Sequence, residues 1–206
     1  MKISDIKLRE LNGAMEHKEP FWEERLVRPT DIYPEYRNMG GDKERISEGL
    51  YAMHSTFLEI HTDDGLIGLA GPCSILEAFI IDTHLRDLLI GQDPLAIEHI
   101  WDLMYRHSIH GRKGENMLAI SVVDCALWDI KGKALNQPVY KILGGPTRQL
   151  IPAYASALQF SVTPGDAHRK IQDLKSEGYK ATKWFFRHGP GSGREGKIAN
   201  IELVEA

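Results

Sequence analysis

The chain has 206 residues, 25 Lys+Arg against 29 Asp+Glu, a net charge of -4, and 42% hydrophobic and 26% charged residues. These values are those of a folded globular protein and exclude disordered and fibrous compositions. The length allows one large domain or two small ones, and it falls short of the roughly 250 residues of a complete (β/α)8 barrel. A pI near 6.1 with interspersed charges gives no basic stripe for nucleic acid. No apolar run approaches the roughly 18 residues of a membrane span, and Met1–Asp5 has no signal-peptide core. Cys73 and Cys125 stand far apart without a CxxC motif and read as reduced core thiols of a cytoplasmic protein.

In chain order, Ile3 to Leu11 alternates apolar and polar residues as a half-buried strand does. Residues 12–49 lose that periodicity but carry Phe21, Trp22, Tyr33 and Tyr36, which points to a lid folded over something. Ser55–Thr62 and Leu66–Ala70 flank Asp63-Asp64-Gly65, a hairpin signal. Three helices follow. The first opens on Ser74 with Glu77 three residues on, a capping box, and turns Ala78, Ile81, Leu85 and Leu88 inward. The second has Asp93 as cap and Pro94 at its first position. The third is long, with Ile120, Val123, Leu127, Ile130 and Ala134 on one face.

After Arg148 the order becomes strand (Leu150–Ala157), helix from Thr163-Pro164 to Gly178, and strand (Tyr179–Phe186), a parallel βαβ unit. A second helical run, Ile198–Ala206, carries no terminating signal, so the reading expects a barrel completed by further polypeptide. The predicted fold is an α+β domain over residues 1–145, a three-stranded antiparallel meander plus helices. Residues 146–206 are expected to open an α/β barrel that stops after its second strand.

Gly191-Ser192-Gly193-Arg194-Glu195-Gly196 satisfies G-x-G-x-x-G between a strand and a helix. A dinucleotide fingerprint also needs an acidic residue about 20 positions on and follows the first strand of its unit. Neither holds here, so the stretch reads as a βα loop that touches substrate. Asp124 and Asp129 do not share a helix face, and His107 with His110 has no further ligand near in sequence.

The run Ser121-Val-Val-Asp-Cys-Ala-Leu-Trp-Asp-Ile-Lys-Gly-Lys133, followed by Gln137-Pro138 and Gly144-Gly145, closely resembles the third capping-domain helix of the mandelate racemase/muconate lactonizing enzyme subgroup of the enolase superfamily. The resemblance extends along the whole chain. Trp22, Pro29, Tyr33, Tyr36 and Arg45, with Lys183 through the Gly-Pro-x-x-Gly at 189–193, are similar to acid-sugar dehydratases of the L-rhamnonate dehydratase kind. The resemblance implies a lyase that removes the proton α to a carboxylate and expels the β-hydroxyl, giving a 2-keto-3-deoxy acid. It further implies Mg2+ bound by carboxylates of later barrel strands beyond Ala206, a small acid-sugar substrate and a homo-oligomer.

Carried over residue by residue, Lys183 is the catalytic candidate and also binds substrate. Arg45, Trp22, Tyr33, Arg187 and His188 are the other substrate-binding candidates. An enediolate dianion calls for facing cations, and a lysine at the C-terminal end of a barrel strand meets that need. Period-two alternation puts Lys183, Phe185 and Arg187 on one face. Many relatives carry Lys-x-Lys there. Phe185 replaces the second lysine and cannot accept a proton, so a base from later in the barrel is implied. The arginine fork of Arg45 suits a carboxylate or vicinal hydroxyls. Racemisation or cycloisomerisation on the same fold, and a non-catalytic fragment acting in assembly, remain open alternatives.

Overall fold

The computed structural model describes residues 1–18, 27–37, 44–158 and 160–206. A four-stranded sheet is built on β3 (Leu50–Thr62), which pairs with β1 (Ile3–Glu16), β2 (Arg45–Ser47) and β4 (Ile67–Cys73). Both β2 and β4 run antiparallel to β3, β2 at its start (Arg45 opposite Tyr51) and β4 farther along (Leu58 opposite Ala70). Strand β1 is antiparallel as well: Asp63 N–H donates to the Lys2 carbonyl, and the Ser4 hydroxyl to that of His61. The meander is therefore present, with β2 as a short strand that residues 12–49 gave no alternation to forecast.

The chain forms two compact units, Met1–Asn12 with His54–Gln149, and Gly13–Met53 with Leu150–Ala206. Residues 13–53 thus group with the C-terminal segment.

The first unit carries the main core. Ile3, Ile6, Leu58 and Ile60 of the sheet meet Ile81, Leu85, Leu89, Ile100, Met104, Val123, Leu127 and Ile130. Each such side chain contributes about 1.5–3 kcal/mol on burial. The helices are α1 (Ile75–Ile80), α2 (Arg86–Leu89), α3 (Ile97–His107), α4 (Glu115–Ala134) and α5 (Val139–Ile142). The capping box is in place: Ser74 Oγ accepts from Glu77 N at 3.2 Å, and Glu77 Oε2 accepts from Ser74 N at 2.8 Å. Residues 81–85 then form a π turn between α1 and α2. The extra residue in that turn moves the inward face along by one, so Leu89 rather than Leu88 is fully buried.

Asp93 does not cap α3. Its carboxylate accepts from Leu95 N at 3.0 Å, which closes a separate turn, and the helix starts at Ile97. Helix α4 lies on β4, and Gly68 is where they touch: a Cβ there would stand 2.3 Å from the Ala126 carbonyl oxygen. Ala134, expected on the inner face of α4, is exposed. Cys73 is buried, and burial pushes its thiol up from the ordinary value. Cys125 is exposed, contrary to the core reading, because its neighbours Ala126 and Leu127 take the inward face of α4.

The second unit contains the parallel pair β5 (Ala155–Ser156) and β6 (Thr182–Lys183), joined by α6 (Pro164–Ser176) and followed by α7 (Gly193–Glu205). Helix α6 ends where the sequence says it should. Gly178, at φ +98°, lets Tyr179 N–H reach the Leu174 carbonyl and its own N–H reach that of Lys175. The strands are much shorter than 150–157 and 179–186: the register pairs Ala155 with Thr182 and Ser156 with Lys183, flanked by bonds from Ala155 N–H to Ala181 and from Ala157 N–H to Lys183.

Candidate functional site

Lys183 is the last ladder residue of β6, at its C-terminal end, where the chain turns into the loop that precedes α7. Its Nζ lies 5.6 Å from the ring centroid of Tyr154, a cation–π approach, and the side chain is exposed. The expected shared face of Lys183, Phe185 and Arg187 stops at Lys183, because residues 184–188 have left the ladder and no longer alternate. Trp184 instead donates its ring N–H to Thr182 Oγ1 at 3.0 Å.

Arg187 and His188 begin the following loop. Both line a pocket of about 150 Å³ that also includes Thr163 and Asn200. His188 further borders a cleft of about 570 Å³ with Phe186, Pro190, Lys197, Ile201 and Val204. The His188 carbonyl accepts from Asn200 Nδ2 at 2.9 Å, which ties the loop to α7.

Two 3₁₀ turns, Pro29–Ile32 and Pro34–Tyr36, give the lid its local structure. Each begins with a proline, whose fixed φ and missing N–H suit the first position of a turn. Asp31, 7% exposed, accepts Arg28 N–H on its carboxylate at 2.9 Å, and its carbonyl accepts Arg37 Nε–H at 2.9 Å. Tyr33 sits between the turns, half exposed, with its ring 6.3 Å from that of Tyr36 at 73°. Arg45 opens β2, donates from Nη2 to the Tyr51 hydroxyl at 3.2 Å, and stacks its guanidinium over the same ring at 5.6 Å. Trp22 lies outside the described residues.

The first lid turn packs on the Pro190–Ser192 turn of the loop after β6. The structure thus joins two stretches that the sequence offered separately: the lid and the Gly-Pro-x-x-Gly loop. Asp31 was missed as a structural anchor, although Pro at the first and Asp at the third position of a turn is a legible start signal. Two of the three glycines of the G-x-G-x-x-G run face protein. Gly191 abuts the Asp31 backbone, Gly196 abuts Ser192 and His188, and Gly193 has φ +61° with open space around it.

The remaining candidates are structural. Asp129 Oδ2 accepts Leu69 N–H at 2.8 Å and pairs with Lys133, pinning α4 to β4. Asp124 stands apart from it, and burial, with Glu98 nearby, raises its carboxyl above the ordinary aspartate value. Helix α3 ends at His107, so His110 does not continue its face. Asp166 takes hydrogen bonds from Thr163 and Ser161 and the Arg169 guanidinium, and these hold its carboxyl below the ordinary value. Among the described residues, no group of three or more His, Cys, Asp or Glu is placed to hold a metal ion.

Residues 50–144 match the family described as mandelate racemase / muconate lactonizing enzyme, N-terminal domain. Over that stretch the chain is similar to this domain. An antiparallel sheet followed by helices is what the resemblance implies; the sheet has β2 as a fourth strand, the π turn divides the first expected helix into α1 and α2, and α5 is additional. The L-rhamnonate dehydratase of Saccharopolyspora erythraea is 32% identical over 212 residues, covering 99% of this chain and 50% of that protein. A Caldivirga maquilingensis protein, provisionally named for the same activity, is 36% identical over 182 residues, covering 87% of this chain and 42% of its own length. The chain therefore spans about half the length of these curated relatives.

Among solved structures, rhamnonate dehydratase from Gibberella zeae complexed with Mg is similar with a TM-score of 0.73 and 27% identity. That match covers 98% of this chain and 48% of the other. The chain is thus similar to L-rhamnonate dehydratases in sequence and in fold.

Proposed function

We propose that this chain forms the capping domain, residues 1–145, and the opening βαβ unit of the barrel, residues 146–206, of a Mg2+-dependent acid-sugar dehydratase. The proposed substrate is an L-rhamnonate-like acid sugar, the setting cytoplasmic and the assembly homo-oligomeric. The observation that carries this reading is the position of Lys183. It stands at the C-terminal end of a parallel strand, beside the loop on which the lid turn packs. The alignment with the S. erythraea L-rhamnonate dehydratase over 99% of the chain supports it.

The chemistry follows from what these side chains can do. Removing the proton α to a carboxylate spreads a second negative charge over the carboxylate oxygens, and expulsion of the β-hydroxyl then gives the enol of a 2-keto-3-deoxy acid. Lys183 puts an ammonium against the developing charge, where a preorganised cation is worth most. Arg45 offers two parallel N–H donors to the carboxylate or to vicinal hydroxyls. Tyr33 walls the sugar, Arg187 and His188 meet its polar end, and Trp22, outside the described residues, is a further substrate-binding candidate. Phe185 takes no proton, so the base comes from elsewhere in the protein. Mg2+ is assigned no ligand among the residues described.

The test is incubation of the complete enzyme with Mg2+ and a panel of acid sugars, reading 2-keto-3-deoxy acid formation. L-Rhamnonate should be consumed fastest. Exchange of the α-proton for solvent deuterium without dehydration would point to a racemase instead.

A further inference from the structure

Two of the glycines in the loop after β6 are not explained by their own backbone angles. Gly189 is extended, at φ -114°, and Gly191 sits in a 3₁₀ turn without a positive φ, so both positions suit any residue conformationally. The lid is what excludes a side chain. A Cβ on Gly191 would stand 2.2 Å from the Asp31 carbonyl oxygen and 2.8 Å from Ile32 Cα, both backbone atoms. A Cβ on Gly189 would stand 2.7 Å from Val27 Cγ2, the tip of a side chain. The carbonyl that Gly191 approaches is the one held by Arg37 Nε at 2.9 Å, and the Asp31 carboxylate ties back to Arg28 N. The lid turn is thus stiffened where it meets the glycines.

We infer that Gly191, with Gly189 beside it, is the seat of the lid: the missing Cβ atoms let the Val27–Arg37 segment rest on the loop after β6 and thereby position Tyr33 over the substrate. The consequence for substrate rests on the dehydratase reading; the seat itself does not. Gly191 and Gly189 are positioning residues, since they act through the lid. Ordinary contact begins near 3.4 Å, so Gly191→Ala must displace the lid backbone by about 1 Å. A displacement of that size costs roughly 100-fold where it misplaces a group that contacts substrate.

The experiment uses the complete enzyme and four variants: Gly191→Ala, Gly189→Ala, Val27→Ala, and the Gly189→Ala/Val27→Ala pair. Hydrogen exchange is followed at Tyr33, Tyr36 and Arg37, whose N–H groups bond to Thr30, Tyr33 and Pro34. Gly191→Ala should raise their exchange at least tenfold and raise KM for L-rhamnonate far more than it lowers kcat. Gly189→Ala should do the same more weakly. Adding Val27→Ala should restore both readouts, because it removes the atom that the new Cβ meets; this pair decides the matter if Gly191→Ala does not fold. Wild-type exchange in Gly191→Ala, or a double variant no better than Gly189→Ala alone, would overturn the seat. A KM that stays put while exchange rises would overturn the positioning of Tyr33. A wild-type enzyme inert toward every acid sugar would sink the functional reading, and the exchange data would still decide the seat.

Discussion

Replacing Asp129 by alanine removes the clamp between α4 and β4 without touching the candidate site. Two interactions go. The charge-assisted hydrogen bond from Leu69 N–H, 2.8 Å long, is of a kind worth about 1.5–3 kcal/mol. The Lys133 pair is partly exposed and adds less than about 1 kcal/mol. Leu69 stands on an exposed strand where water can replace part of the lost bond, so the net cost is about 2 kcal/mol. For a chain of this size that is a fall in Tm of about 4–8 °C. Asp129→Asn keeps an acceptor for Leu69 and should lose about half as much. Differential scanning calorimetry of the three proteins checks the order, and turnover measured well below Tm should be unchanged. A Tm within about 1 °C of wild type, or lost turnover at unchanged Tm, would refute the structural assignment of this aspartate.

Gly68→Ala should destabilise by about 3 kcal/mol, the upper end for overpacking, because the Cβ meets the Ala126 carbonyl and not a yielding side chain; the denaturant midpoint reads this. Asp124 has a folded-state carboxyl raised by burial and by Glu98, so it binds its proton more tightly folded than unfolded. Its contribution therefore turns unfavourable as pH rises from the ordinary aspartate value near 3.8 through the raised one. Asp124→Asn should accordingly raise Tm at neutral pH and leave it unchanged in acid below that window, and a Tm gain independent of pH would contradict the assignment. Lys183→Ala should lower kcat/KM by about 100–1,000-fold while leaving stability within about 0.5 kcal/mol, since the side chain is exposed.

Where one face of an element is buried and its ends carry side-chain signals, the sequence was enough. The Ser74 box, the Asp63–Gly65 hairpin and the inward face of α4 from Ile120 to Ile130 belong to that class. Local competition produced the errors. The Asp93 carboxylate found a nearer N–H than that of a helix, and the π turn after Ile80 moved the buried position from Leu88 to Leu89. Alternation also overstated β6, since period-two residues form a face only while the ladder lasts, and here it ends at Lys183.

For the candidate site, Lys183, Arg187 and His188 could be nominated from their positions and from the family resemblance. The meeting of Asp31 with Gly191 could not. It joins segments 160 residues apart through backbone atoms, and such a contact leaves only two glycines as its trace. Residues 12–49 hid it further, because 3₁₀ turns have no long apolar period to read.

Dehydration of an acid sugar by these residues is tested by turnover of L-rhamnonate by the complete enzyme with and without Mg2+, alongside Lys183→Ala. Stoichiometric 2-keto-3-deoxy acid should form, dependent on Mg2+ and reduced at least about 100-fold in the variant. Undiminished turnover in Lys183→Ala, or no product from any acid sugar by the folded wild-type enzyme, would contradict it.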